Sequence, residues 1–194
     1  MKMYVYTFAY DKIKEEGYKS LSMFDKDSEH YKGCLWTHRC SANSENYVDI
    51  EAYMERTFEG RLRSICAITE IAPVTDYQHP YLDRLVHYAD VISFDAGQLV
   101  KDGVVEAVYC KDLRQTVLIN PAFENIYKLN GLDEIDTEPY DWRLCGEKEY
   151  QKYSPWATIK HYMLVLKDGY VPPRYITLET DNSAAREAEE KMRA

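Results

Sequence analysis

The apolar residues of this chain fall into short runs that turn-forming residues separate. Ser64–Ile71, Asp90–Phe94 and His161–Leu166 are each rich in β-branched, aromatic or other apolar residues, as expected of single strands. A proline, glycine or aspartate stands within three residues of the end of each run. Runs this short are too brief for a membrane span, and they predict small elements packed around one core.

Helical spacing occurs between these strands. Tyr10–Glu16 predicts a short helix that Gly17 ends, and Asp49–Thr57 has apolar residues at helical intervals. Pro80–Ala89 starts with a proline, which suits the first turn of a helix, and places its leucines and valine on one face. Asp181–Ala194 predicts an exposed C-terminal helix.

The remaining segments predict a hairpin, a helix, a loop and an edge strand. Val104–Cys110 and Gln115–Asn120 predict the two strands of the hairpin, and Pro121–Leu129 predicts the helix. Asp133–Ser154 is polar and irregular, as expected of a surface loop. Val171–Leu178 contains two prolines, which cannot donate to a ladder, so an edge strand is predicted there.

These elements predict an α+β fold with a largely antiparallel sheet and short helices. The length of 194 residues suits one domain, which we expect over residues 1–180, followed by the C-terminal helix over residues 181–194. Short connections and hairpins favour antiparallel pairing, because parallel strands need long crossovers.

The charge and the cysteines restrict the class of protein. A net charge of −9 disfavours direct binding to nucleic acid or to an anionic membrane, and it suits a partner protein with a basic surface. Five scattered cysteines do not form a disulfide framework, and the N-terminus lacks the features of a signal peptide. A cytoplasmic location is therefore expected. Cys66 and Cys110 lie inside apolar runs and are predicted to be buried thiols.

Two segments carry residue types that bind metals. His30, Cys34 and His38 are four residues apart, with Cys40 close by, and zinc prefers such nitrogen and sulfur ligands. Gly33, however, interrupts a helix here, and no second ligand pair follows at the spacing of a zinc finger. The alternative is a polar segment with one buried cysteine, and no metal is predicted.

The second segment has His79, Asp83 and His87 at the same interval, with Asp76 just before them. Two histidines and a carboxylate are a known ligand set for transition metals. His79 precedes a proline and so lies outside the helix, which makes an ordinary surface pair of Asp83 and His87 the competing interpretation. No metal is predicted here either.

No established catalytic motif is present. The sequence has no G-x-S-x-G, no G-x-x-x-x-G-K-[ST] and no G-x-G-x-x-G. Arg61 and Arg63 form a locally basic spot that could grip a phosphate or a carboxylate. The alternative is that both arginines are exposed and pair with Glu55 or Glu59.

Several segments together resemble the ADP-ribosyltransferase fold. Tyr4–Thr7 and Ile13–Leu21 resemble the family's first strand and the helix that ends in glycine. Ser64–Thr69 resembles its middle strand, which bears serine or threonine. His161–Leu166 and Val171–Ile176 are similar to its last pair of strands, where a V-P-P-x-x-I pattern is frequent. These pieces cover about a quarter of the chain.

The resemblance implies NAD as the ligand and a cleft for it. Members of the family place a glutamate at the start of the last core strand, where it stabilises an oxocarbenium-like transition state. Here that position falls at His161, Tyr162 or Met163, and none of these is an acid. The resemblance therefore implies an altered or inactive version of the family, unless a glutamate of Asp133–Ser154 reaches the cleft. The residues expected to bind NAD in this cleft are Tyr4, Tyr6, Thr7, Ser64 and Tyr162.

A competing hypothesis is an interaction protein without chemistry. One segment concentrates acidic and aromatic residues that suit a basic partner: Asp133, Glu134, Asp136, Glu138, Tyr140, Asp141 and Trp142. Small acidic inhibitors from phages or mobile elements have this general character, although a solvated loop has the same composition. Because the expected catalytic acid is missing, binding or inhibition is preferred over turnover, and whether the chain is an enzyme stays open. A ligand sensor that uses the same cleft is a third hypothesis.

Overall fold

A computed structural model of the chain describes residues 1–34, 50–112, 125–141, 148, 151–152 and 154–193. These residues form mixed α and β structure around one sheet of seven strands, with a separate two-stranded ribbon. All of the strand pairs within them are antiparallel. The predicted fold class, α+β with a largely antiparallel sheet, is therefore confirmed.

The strands and helices are short, as the sequence predicts. The strands are β1 (Lys2–Thr7), β2 (Tyr18–Lys19), β3 (Ser64–Ile68), β4 (Asp90–Asp95), β5 (Val105–Asp112), β6 (Asn125–Lys128), β7 (His161–Leu166), β8 (Tyr170–Val171) and β9 (Thr177–Thr180). Besides a helical segment at residues 29–34, the helices are α1 (Tyr10–Glu16), α2 (Ile50–Thr57), α3 (Pro80–Tyr88), α4 (Ala96–Lys101) and α5 (Ser183–Arg193). Short 3₁₀ turns occur at Leu21–Met23, Arg61–Arg63, Leu132–Glu134, Trp156–Thr158 and Pro173–Tyr175.

Strands that are distant in the sequence are neighbours in the large sheet. Its order is β6-β5-β7-β3-β1-β4-β9, so β3 lies at its centre between β1 and β7. Tyr4 of β1 is opposite Ile68 of β3, and Cys66 of β3 is opposite Met163 of β7. The segment between α3 and β7 therefore supplies an outer pair, β5 and β6, on one side of the sheet.

One face of the sheet carries the main core. Alternate residues of a strand point to opposite faces, which places Ile65 and Ala67 of β3 in this core at 1% exposure each. Helices α1 and α4 cover the face with Ile13 and Leu99. Tyr162 also lies here, and only 1% of its surface is exposed.

The opposite face is covered in two separate places. Leu82 and Val86 of α3 pack against Ile68, with Tyr4, Tyr6 and Trp156 at the margin of this cluster. Phe58, which follows α2, packs against Met163 and Val165 of β7.

A buried ion pair attaches the C-terminal helix. Arg186 of α5 donates two hydrogen bonds to the carboxylate of Asp90, each 2.8 Å long, and a third to the carbonyl of Tyr88. The Asp90 side chain is 2% exposed and also accepts the backbone N–H of Asn182 at 2.8 Å. Helix α5 is thereby fixed to the start of β4.

Gly17 joins α1 to β2 in a conformation that other residues rarely adopt. Its φ is 81° and its ψ is 171°, and a Cβ atom there would lie 2.5 Å from the Tyr170 ring and 2.6 Å from the carbonyl oxygen of Val171. The backbone of β8 thus passes directly against this residue, which explains why the helix ends at a glycine.

Two predicted elements differ from the structure, and a third cannot be compared with it. Pro121–Leu129 was predicted as a helix, but Asn125–Lys128 is a strand, because it completes the ladder of β5 with Asp112 opposite Asn125. The predicted strand Gln115–Asn120 lies outside the described residues. Val171–Leu178 does not form one edge strand, since the prolines interrupt it and a 3₁₀ turn at Pro173–Tyr175 separates β8 from β9.

The helices show no capacity to cross a bilayer. No helix in the described ranges combines the length and the apolar character that such a crossing requires.

Candidate functional site

Strands β1, β3 and β7 line a cleft of about 840 Å³. Tyr6, Cys66 and Met163 come from these adjacent strands and contribute to the lining. The walls include α1 and the chain that follows it through Gly17, Tyr18 and Lys19. The volume is within the usual range of ligand pockets, which is roughly 300–1,000 Å³.

The charged side chains of the cleft are mostly basic. Its lining includes four cationic residues: Lys12, Lys19, Arg61 and Lys111. Among the described lining residues, the acidic one is Glu16. Lys19 pairs with Glu16 at 2.6 Å. In a chain with a net charge of −9, this lining is a local reversal of sign that favours an anionic ligand.

Aromatic rings surround the same volume. Tyr6, Phe8, Tyr18, Phe24 and Tyr81 all line the cleft. Phe8 and Tyr81 are well exposed, at 45% and 63%, so their faces are accessible to a ligand. Burial raises the pKa of Tyr18, and the nearby thiols of Cys66 and Cys34 raise it further, so this phenol stays protonated at neutral pH.

The thiol of Cys66 lies beside a buried imidazole. The Sγ of Cys66 is 3.6 Å from Nδ1 of His161, which comes from the neighbouring strand β7. His161 is 5% exposed, and its ring packs against Trp156 with the ring centroids 5.2 Å apart. Trp156 in turn contacts Tyr6. Burial, with a smaller effect of Lys111, lowers the pKa of His161 to about 3, so its imidazole is neutral at pH 7.

Mild acid is expected to destabilise the fold through His161. In the unfolded chain this histidine takes up a proton near pH 6.5, whereas the folded chain resists protonation down to about pH 3. Stability from this group is thus complete above pH 6.5 and declines below it by about 1.4 kcal/mol per pH unit. Urea unfolding between pH 7.5 and 5 measures this slope.

In the variant His161→Gln, the free energy of unfolding should depend less steeply on pH, because the contribution of His161 is gone. His87→Gln, which alters a histidine in a surface pair, should retain the wild-type slope. Equal slopes in the wild type and in a folded His161→Gln variant would contradict the prediction. The comparison uses slopes, so a lower absolute stability of His161→Gln does not affect it.

The residues predicted to bind NAD divide into two groups. Tyr6, Thr7 and Ser64 line the cleft. Tyr4 packs beside Ile68 in the cluster under α3 and does not line the cleft. Tyr162 lies on the opposite face of the sheet, because it is one residue out of phase with Met163, and its hydroxyl bonds the backbone of Asp136 at 2.8 Å.

The acidic segment is exposed except for its tyrosine. The carboxylates of Asp133, Glu134, Asp136, Glu138 and Asp141 belong to exposed residues. Glu134 accepts hydrogen bonds from Asn130, and Asp136 pairs with Lys160. Tyr140 was expected on the surface but is 9% exposed, because its hydroxyl donates to the carbonyl of Lys111. Trp142 lies outside the described residues.

The two predicted metal sets are only partly assembled. Asp76, Asp83 and His87 have ligand atoms within 4.8 Å of one another, and His87 pairs with Asp83 at 3.6 Å. Exposed acidic groups often cluster in this way without an ion. The Sγ of Cys34 lies 3.8 Å from Nε2 of His30. Both residues belong to a helical segment, residues 29–34, which continues through Gly33. His38 and Cys40 lie outside the described residues.

The two arginines of the basic spot have different environments. Arg63 donates to the carbonyls of Leu166 and Lys167 and pairs with Glu106 at 2.8 Å. Arg61 is 5% exposed, stacks over Phe58 and lines the cleft. Arg63 thus pairs with a carboxylate distant in sequence and not with the predicted Glu55 or Glu59. The Glu55 carboxylate accepts the backbone N–H groups of residues 60 and 62.

The sequence did not reveal several residues that lie in or beside the cleft. Cys66 was predicted to be buried, but the thiol is exposed because alternation along β3 turns it away from the core and toward the cleft. His161, Lys12 and Lys111 carry no motif in the sequence. The alternation of Ile65 and Ala67 around Cys66 was the available signal for an outward-facing thiol.

Comparison with known proteins identifies no relative: no protein-family model, curated protein sequence or solved structure matches this chain.

Proposed function

We propose that the cleft binds an anionic nucleotide, with NAD as the specific candidate that the ADP-ribosyltransferase resemblance supplies. The observation that carries the proposal is the reversal of charge in the cleft. Lys12, Arg61 and Lys111 line it in a chain whose net charge is −9, and such a concentration of cations suits phosphate groups.

The aromatic lining supports a ligand with a flat ring. Tyr81 presents an exposed ring at the cleft, and a base or a nicotinamide ring stacks favourably on such a face. Stacking contributes about 1–3 kcal/mol per base in known nucleic-acid sites. A cleft of about 840 Å³ accommodates a mononucleotide or a dinucleotide.

The proposal is binding and does not include transfer of ADP-ribose. Transfer calls for a carboxylate near the ribose, as the resemblance implies. Among the described lining residues, Glu16 supplies the carboxylate, and its side chain forms an ion pair with Lys19 at 2.6 Å. A sensor or an inhibitor controlled by a nucleotide fits these residues better than a transferase.

A matched pair of lysines on α1 tests the proposal. Lys12 lines the cleft, whereas Lys14 on the same helix does not, so Lys12→Gln and Lys14→Gln change the same charge two residues apart. Lys12→Gln is expected to weaken nucleotide binding by about 1 kcal/mol, roughly fivefold in Kd, because one exposed ion pair is lost. Lys14→Gln should bind as the wild type does.

Isothermal titration with NAD, ADP-ribose, AMP and inorganic phosphate provides the measurement. Tighter binding of the nucleotides than of phosphate indicates that the aromatic lining contributes. Failure of all four to bind at millimolar concentration, or an equal loss in both lysine variants, would refute the proposal.

A second candidate is a partner protein with a basic surface. It is favoured by the exposure of all five carboxylates along residues 133–141. The double variant Asp133→Asn/Glu138→Gln neutralises two of them without touching the Asp136–Lys160 pair. Partner capture that is lost in this variant and retained in Lys12→Gln would support this candidate over nucleotide binding.

A further inference from the structure

We propose that Asp76, Asp83 and His87 bind a divalent transition-metal ion, with zinc as the ion that suits these donors best. The site lies beside helix α3 and outside the cleft. The inference is independent of nucleotide binding, and it assigns a ligand to side chains that the proposed function does not use.

Three donor atoms from two segments of the chain come together at this place. Asp83 and His87 are four residues apart on α3, which places them on the same face of the helix. Asp76 belongs to the loop that precedes α3. One oxygen of each aspartate and one ring nitrogen of His87 all lie within 4.8 Å of one another. A single ion can contact all three after small rotations of the side chains.

A buried tyrosine holds the loop that carries Asp76. Tyr77 is 5% exposed in the cluster under α3, and its hydroxyl donates to the carbonyl of Pro73 at 3.3 Å. Its backbone N–H donates to Oδ1 of Asp83 at 3.0 Å. Asp76 directly precedes Tyr77, so the fold keeps the two carboxylates together. Metal binding therefore requires little additional ordering of the chain.

The contact between His87 and Asp83 fits a shared metal ion better than a hydrogen bond. Nε2 of His87 lies 3.6 Å from Oδ1 of Asp83, whereas a hydrogen bond between nitrogen and oxygen is about 2.7–3.2 Å long. Two ligands of one tetrahedral zinc ion, with bonds of about 2.0–2.2 Å, are about 3.4 Å apart. The histidine and aspartate side chains are 31% and 39% exposed, so an ion between them is partly shielded from water.

The donor types determine which ion is preferred. Carboxylates alone suit calcium or magnesium, which prefer oxygen ligands. The imidazole of His87 moves the preference to zinc and related ions, because these bind nitrogen more strongly, and it distinguishes this group from a merely acidic surface. Two aspartates balance the charge of a divalent cation. Three protein ligands leave one tetrahedral position for water or a further ligand.

The site is separate from the cleft on the same helix. Tyr81 and Leu85 line the cleft, whereas neither Asp83 nor His87 does. A step of two residues turns a helix by about 200°, so the two pairs point to different sides of α3. Zinc binding and nucleotide binding can therefore be tested independently of each other.

Zinc titration of matched variants tests the proposal. Asp76→Asn removes the charge of an exposed side chain and keeps its size, and His87→Gln removes the nitrogen donor. Each should raise the Kd for zinc at least about tenfold, measured by isothermal titration of the reduced protein with zinc chloride. Glu70→Gln alters an exposed acid outside the group, and His30→Gln alters the histidine beside Cys34. Both controls should bind zinc as the wild type does.

Two further ions identify the donors. Cobalt(II) bound to the wild type should show visible absorption bands without the near-ultraviolet charge-transfer band of a thiolate ligand, because the group contains no cysteine. Calcium should bind at least about tenfold more weakly than zinc, because it prefers oxygen ligands. Saturating zinc should raise the Tm of the wild type by several degrees, and the rise should be smaller in Asp76→Asn.

Four results would overturn the proposal. They are a wild type that binds no zinc at submillimolar concentration, a folded Asp76→Asn variant that binds zinc as tightly as the wild type, a thiolate band that is unchanged in His87→Gln, and calcium binding as tight as zinc binding. Asp76 is exposed, so its variant tests the site even if His87→Gln fails to fold. Neither residue lines the cleft, so loss of zinc binding leaves the proposed nucleotide binding untouched, and the reverse also holds.

Discussion

Replacing Arg186 with alanine is expected to lower the free energy of unfolding by about 3 kcal/mol. The change leaves the carboxylate of Asp90, which is 2% exposed, without the two 2.8 Å hydrogen bonds that compensate its charge. Removing one member of a buried ion pair costs more than the pair contributed, because the remaining charge is desolvated without a partner. The loss corresponds to a decrease in Tm of roughly 6–12 °C for a chain of this length.

Arg193→Ala is the matched control on the same helix. Arg193 pairs with Glu189 but is 67% exposed, so its removal should cost less than about 0.5 kcal/mol. Urea unfolding followed by circular dichroism measures both variants. Similar losses for the two arginines would show that the Asp90 pair does not hold helix α5 to the sheet.

The variant Gly17→Ala is expected to destabilise the protein by a similar amount, about 3 kcal/mol. The φ of 81° with a ψ of 171° is strained for any residue with a side chain, and this alone costs about 1–3 kcal/mol. The added methyl group would also lie 2.6 Å from the carbonyl oxygen of Val171, which is backbone and cannot rotate away. Overpacking of this kind adds about 1–3 kcal/mol.

Gly33→Ala provides the opposite case. A Cβ at Gly33 has no atom within 4 Å, and the residue belongs to a helical segment. Alanine is a better helix former than glycine, so this variant should be stabilised by about 0.5 kcal/mol. Both variants are compared by their urea midpoints, and destabilisation of both, or of neither, would count against the role of the Gly17 turn.

Local patterns predicted most of the elements, because they depend on residues close in sequence. Tyr10–Glu16 and His161–Leu166 have the predicted bounds, since a glycine ends the first and a turn follows the second. Asn125–Lys128 was mistaken for a helix, because its strand conformation depends on β5, which lies more than ten residues earlier in the chain. Tertiary pairing of this kind leaves no local signal.

The candidate site was less predictable than the fold. Tyr6, Thr7 and Ser64 line the cleft as expected from the resemblance, but the neighbours that give the cleft its chemistry come from other segments. Cys66 and His161 are ninety-five residues apart and meet only because β3 and β7 are adjacent. Sequence spacing cannot reveal such a pair without the strand order.

The order of strands in the sheet also restricts how the chain can fold during synthesis. β3 requires β7 on one side, and almost a hundred residues separate them. Until Leu166 has left the ribosome, the apolar side chains of Ile65 and Ala67 lack the strand that completes their core, and one edge of β3 stays open to other chains. Folding should therefore be late and slow for a protein of this size, and nascent chains that stop before β7 should aggregate or bind chaperones.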